Sequence, residues 1–226
     1  MSEYLTSGVA RRIAALATAG IVSLGGAVLL APSASADDLE RTPAEVVEQI
    51  EARSWPVYSV DRPGPSVDVE AAQHLLNALG YVTPNPGPEF TPDVEATVRA
   101  FEESEGIDVD GVLDSQTWIK VRNLHFPSEA DSYRRGDRGY AVIAVQLLVN
   151  AKYDAGVDVS GVYDEATEEA VRDAQDALGI GADGAFGRLT YKGVITHQEH
   201  EGAARDTEDV DASETADGTQ GVRGRY

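Results

Sequence analysis

The four histidines, His74, His125, His197 and His200, offer the readiest acid–base or metal chemistry in this chain. Only His197-Gln198-Glu199-His200-Glu201 brings two of them together, at i, i+3 with carboxylates alongside. The helical zinc motif instead sets two histidines at i, i+4 and encloses a general-base glutamate, so this segment reads as a polar linker. With no cysteine there is no thiolate ligand, no disulfide and no Cys nucleophile. No Gly-x-Ser-x-Gly elbow, P-loop or dinucleotide fingerprint occurs. Acids are abundant, Asp+Glu 39 against Lys+Arg 18, so a pair such as Glu102-Glu103 is too ordinary to mark a glycosidase. The formal charge of −21 also argues against nucleic-acid or anionic-membrane partners, which need a cationic footprint. The expectation is a non-enzymatic protein with no cofactor and no metal.

The elements that position these residues are written twice. Shifting the sequence by 73 residues aligns two blocks without a gap. Val69, Ala71, Gln73, Leu75, Asn77 and Ala78 meet Val142, Ala144, Gln146, Leu148, Asn150 and Ala151. Glu95, Val98 and Arg99 meet Glu168, Val171 and Arg172, and Asp110-Gly111 meets Asp183-Gly184. Thr117-Trp118 meets Thr190-Tyr191.

Each block predicts three helices. In the second, Val142, Val145, Leu148 and Val149 form one stripe at helical period; a helix from Asp164 or Glu165 turns Ala170, Val171, Ala174 and Leu178 inward and ends at Gly179. The turn Asp183-Gly184-Ala185-Phe186-Gly187 leads to a short third helix. The first block repeats the plan over 67–79, 92–105 and 115–122, with Ser66 and Asp114 as N-caps. Ahead of both, Thr42-Pro43-Ala44-Glu45 spells a capping box for a helix over 43–53. No stretch alternates with period two. The fold class is therefore all-α: two tandem three-helix bundles with little or no sheet.

The second block resembles the peptidoglycan-binding-like domain carried by many bacterial wall hydrolases, a small three-helix module. The resemblance rests on Arg134-Arg135-Gly136-Asp137-Arg138-Gly139, Val145-Gln146-Leu147-Leu148, Gly161-Val162-Tyr163-Asp164, Thr167 through Arg172 with Gln175, and Asp183-Gly184-Ala185-Phe186-Gly187 with Thr190-Tyr191. The first block departs from it: Pro63 and Ser66 replace Gly136 and Gly139, and Pro88 replaces Gly161. The resemblance implies a shallow wall-binding groove. Residues suited to line it are Asn150, Tyr153, Tyr163 and Arg172 in the second block and Asn77, Tyr81, Phe90 and Arg99 in the first. Asn matches amides in both directions, Arg grips a stem-peptide carboxylate, and Tyr stacks on a sugar face. Each also has a structural reading: Arg99 and Arg172, for instance, have an acid at i−4, Glu95 and Glu168.

The ends complete the plan. Arg11-Arg12, an uncharged run over 13–31, Pro32 and Ala34-Ser35-Ala36 spell a secretory signal peptide; a signal anchor or a twin-arginine leader are the alternatives. The acidic stretch 201–226 has too few apolar residues for a core and is expected to be disordered. The expected organisation is a signal peptide over 1–36, an N-terminal helix and linker over 37–57, modules over 58–125 and 126–200, and the tail over 201–226. The expected function is that of a secreted, cell-wall-associated peptidoglycan binder with no stable membrane insertion after leader cleavage. The alternative is an exported module that has lost wall affinity and serves a protein partner. A metal-dependent wall hydrolase is the third reading.

Overall fold

A computed structural model describes residue 37, residues 39–63 and residues 65–197. The expected leader and tail lie outside the described residues, as does most of the His197–His200 cluster. Seven helices are present among the described residues: α1 (Ala44–Ala52), α2 (Val67–Ala78), α3 (Pro92–Glu105), α4 (Ser115–His125), α5 (Tyr140–Tyr153), α6 (Glu165–Leu178) and α7 (Arg188–Ile195). Among the same described residues there is no strand longer than an isolated bridge. One bridge in each module, Tyr58–Leu113 and Tyr133–Phe186, ties the lead-in segment to the residue before the N-cap of the third helix.

Local chemistry places four of the seven helix starts and two of the stops. Ser66 accepts the Asp68 N–H, Thr91 the Val94 N–H, Asp114 the N–H groups of Gln116 and Thr117, and Asp164 that of Thr167. Gly106 and Gly179, at φ 65° and 75°, end α3 and α6 in the left-handed conformation that a side chain would resist. The capping box expected at Thr42 does not form. Pro43 occupies the N-cap of α1, and the Thr42 hydroxyl instead accepts the Gly181 N–H at 2.9 Å, in the second module. A tertiary donor has outcompeted the local one.

The two modules share one core. A continuous buried cluster includes Val69, Ala72 and Leu76 of α2, Val142, Val145 and Val149 of α5, and Trp118 and Tyr191 of the third helices. The most extensive helix–helix contact joins α2 to α5, and α4 also meets α7. First helix faces first helix and third faces third, the arrangement of an isologous contact between like subunits. A lone module of this size buries only about 60% of its unfolded surface, so the shared interface supplies area that neither has alone. Trp55, in the linker after α1, stacks on Trp118 at 6.4 Å between centroids and tilts against Tyr191 at 5.9 Å. Those two residues are register equivalents, so one tryptophan closes both modules. The Lys192 ammonium lies 3.8 Å from the centre of its ring, and burial lowers that lysine to about 8.

Candidate functional site

The residues expected to line a groove fall into register pairs, and most are occupied by the fold. Tyr163 and Phe90 are equivalent, and the structure corrects their placement: they are 1% and 2% exposed, with no face left for a ligand. The residue just before the N-cap of each second helix points into the bundle. The Tyr163 hydroxyl donates to the Gly184 carbonyl at 2.9 Å, and burial pushes its pKa well up. That the partner position is a phenylalanine was the available sign that the ring, not the hydroxyl, matters there.

Asn150 and Asn77 are loop clamps. Asn150 accepts the Val157 N–H and donates to the Val157 carbonyl, both at 2.8 Å, while Asn77 accepts the Thr83 N–H at 2.7 Å. Tyr81 packs edge-on against Phe101 and its hydroxyl reaches Glu105 at 3.4 Å. Tyr153 is stacked on His197 at 4.9 Å, with its hydroxyl buried and burial raising its pKa.

Arg99 and Arg172 remain as exposed groups, their side chains 45% and 42% accessible. Each pairs with the acid four residues earlier, Glu95 or Glu168, and each reaches the Asp-Gly turn: Arg99 donates to the Val109 carbonyl at 2.9 Å and Arg172 to that of Asp183 at 3.4 Å. The turn glycine is both left-handed and crowded by the Glu–Arg pair. A Cβ at Gly184 (φ +75°) would lie 2.8 Å from Glu168 Cγ and 3.1 Å from Arg172 Cζ; at Gly111 (φ +72°) it would lie 2.7 Å from Glu95 Cγ. In the second module Arg135 joins the pair through Glu168 at 2.6 Å. Burial works against the Glu168 carboxylate, and Arg172 and Arg135 outweigh it, holding the group below the ordinary Glu range.

Beneath each turn lies a buried polar knot. Gln175 accepts the Gly184 N–H at 2.9 Å and donates to Asp183, the Ala185 carbonyl and Thr190. Its equivalent is Glu102, which accepts from the Gly111 N–H at 2.8 Å and the Thr117 hydroxyl at 3.0 Å. Burial raises Glu102 above the ordinary Glu range. A similar pair holds the loop before the second helix. Gln146 accepts the Gly161 N–H at 2.9 Å, whereas in the first module Pro88 stands in that place and has no N–H to offer.

With the geometry of both turns in hand, a family model described as a putative peptidoglycan binding domain matches residues 65–121 and, again, residues 138–194. The chain belongs to that family. An uncharacterized protein of the bpoA1 3′ region of Kitasatospora aureofaciens is 31% identical over 110 residues, which make up 49% of this chain and 89% of that protein. No solved structure matches.

The matched limits of the two peptidoglycan-binding-domain modules include the α2–α5 contact but leave out other parts of their junction: α1, Trp55, Tyr58, His125, Phe126 and Tyr133. At that junction a cavity of about 590 Å³ opens between the linker, the start of α2 and the end of α7. Tyr58, Ser66, Asp68, Thr196 and His197 line it, with the exposed Arg62 at its edge. Its floor is tied together: Tyr58 donates to Asp68 at 2.8 Å, and the buried Lys152 ammonium sits 2.7 Å from the same carboxylate. Neither Arg62 nor Lys152 belongs to the groove residues expected from the sequence. For Lys152 the signal was its position on an apolar stripe, in register with Leu79. Among the described residues no three acids or histidines converge as a metal site requires, and no helix is long and apolar enough to cross a membrane.

Proposed function

We propose that this chain is an exported, non-enzymatic protein that binds peptidoglycan through its paired modules. The observation that carries this is the family match repeated at residues 65–121 and 138–194, with the two copies packed about one core. Peptidoglycan repeats along its length, so two weak contacts held at fixed spacing add avidity. Arg99 and Arg172 supply the same exposed guanidinium on both modules, suited to a stem-peptide carboxylate. The overall excess of acid leaves little long-range attraction to an anionic wall, so binding is short-range and changes little with salt.

The test is sedimentation with purified sacculi at low and moderate salt. The wild-type chain is expected in the pellet at both, and a chain that stays wholly in the supernatant overturns the proposal. Arg99→Ala/Arg172→Ala should release it if the turn faces make contact; Arg62→Ala should do so if the junction cavity does. A protein-interaction role is the second reading, supported by Pro88, which alters the first module's loop. Under it the wild type does not sediment with sacculi but is recovered with an exported partner.

A further inference from the structure

The modules cap their third helices in different ways. In the first, Asp114 stands just before α4 and its own carboxylate accepts the Gln116 N–H at 2.8 Å and the Thr117 N–H at 3.2 Å. The register puts Gly187 at that position before α7, where no side chain is available. The carboxylate comes from Asp37 instead, 153 residues before Thr190. It accepts the Leu189 N–H at 2.8 Å, the Thr190 N–H at 3.0 Å, the Gly187 N–H at 3.2 Å and the Thr190 hydroxyl at 2.5 Å. Leu189 and Thr190 are the register equivalents of Gln116 and Thr117, so the carboxylate has the same two backbone donors in both modules.

A second exchange prepares the site. Gln175 donates to the Thr190 oxygen at 3.1 Å, which leaves the Thr190 proton for Asp37. In the first module Glu102 has no proton to give as a carboxylate, and the Thr117 hydroxyl is drawn to it. Replacing Glu by Gln and Asp by Gly thus converts a self-capped helix into one that receives a carboxylate from elsewhere. Asp37 is 1% exposed and has φ 69°, the left-handed region that aspartate tolerates better than most residues. Further contacts hold the segment behind it: Thr42 to Gly181, α1 against α7, and the Arg53 carbonyl to the Lys192 ammonium at 2.5 Å.

We propose that the N-terminus of α7 is a carboxylate-binding site whose resident ligand is Asp37, which together with residues 39–55 forms a detachable strap that completes the second module from the far end of the chain. The site accepts a carboxylate because three N–H groups, a hydroxyl and the positive end of the helix converge on it.

The experiment compares the full chain with Asp37→Ala, Asp37→Asn and Asp37→Ala/Gly187→Asp. Three readouts are followed: thermal midpoint, amide exchange at Leu189 and Thr190, and trypsin cleavage after Arg41 in the strap. Asp37→Ala should lower the midpoint by about 2–6 °C, the usual cost of losing a cap in a chain of this size. It should also speed exchange at both amides and cleavage after Arg41. Adding Gly187→Asp should restore slow exchange, as Asp114 does in the first module, while cleavage after Arg41 stays fast. Formate should slow exchange in Asp37→Ala and leave the double variant unchanged. Unchanged exchange in Asp37→Ala overturns the proposal, as does failure of both Gly187→Asp and formate to restore protection. Asp37→Asn keeps the shape and an acceptor oxygen without the charge, so it reports even if the alanine variant does not fold. Full wild-type protection in it overturns the carboxylate assignment.

Discussion

Lys152 and Asp68 meet at 2.7 Å across the boundary between the two modules, one from the end of α5 and the other from the start of α2. Their side chains are 0% and 5% accessible, and the ammonium also donates to the carbonyls of Ile195 and His197. A buried pair that loses one member leaves a charge in a low-dielectric place, which costs more than the pair itself contributes. Lys152→Met is therefore expected to destabilise the chain by about 3–5 kcal/mol in urea unfolding. Asp68→Leu/Lys152→Met should recover most of that. A single variant within 1 kcal/mol of wild type would show that the modules do not depend on this pair.

His125 makes the same interface sensitive to acid. Its Nε2 lies 3.1 Å from the Leu75 carbonyl, which can only accept, so the neutral ring carries its proton there and takes the Tyr133 hydroxyl at Nδ1, 2.6 Å away. Burial holds His125 down at about 4, and the backbone carbonyl only partly opposes this. A histidine whose folded value lies below its free value gives stability that is complete above the free pKa and lost as pH falls. Between about 6.5 and 4 the loss should approach about 3 kcal/mol. Chemical denaturation across that window, wild type against His125→Asn, measures it: the variant should lack this part of the slope.

Gly184 and Gly106 separate backbone strain from crowding. Both have positive φ, but a Cβ at Gly106 meets nothing within 4 Å, whereas at Gly184 it meets Glu168 and Arg172. Gly106→Ala should cost about 1–2 kcal/mol, the price of a left-handed alanine. Gly184→Ala should cost more and should also displace Arg172 from its turn. Equal losses in thermal unfolding would mean that the Glu–Arg pair yields freely.

Gln146 and Gln73 are equivalent in sequence and unequal in duty. Gln146→Ala strands the buried Gly161 N–H and should cost about 1–3 kcal/mol. Gln73→Ala should cost less, because Pro88 removed that donor from the first module and Gln73 serves only the carbonyls of Gly87 and Val69. Urea midpoints of the two variants give the comparison.

The 73-residue register and the hydrophobic period were enough to determine two copies of a three-helix module, and local capping chemistry set several helix ends, at Ser66, Asp114, Asp164 and Gly179. Those signals lie within a turn or two of the residues they act on, so they can be read along the chain. The inward placement of Tyr163, the burial of Lys152 against Asp68 and the loan of Asp37 to α7 could not be read that way. Each depends on a partner more than 20 residues distant: the Gly184 carbonyl, the first module's α2, the bare N-terminus at Gly187. Two of the eight groove candidates proved to be core, and two, Asn150 and Asn77, to be clamps on loops 7 and 6 residues further along. A polar atom takes the donor or acceptor that folding brings nearest, and only the tertiary structure decides which one that is.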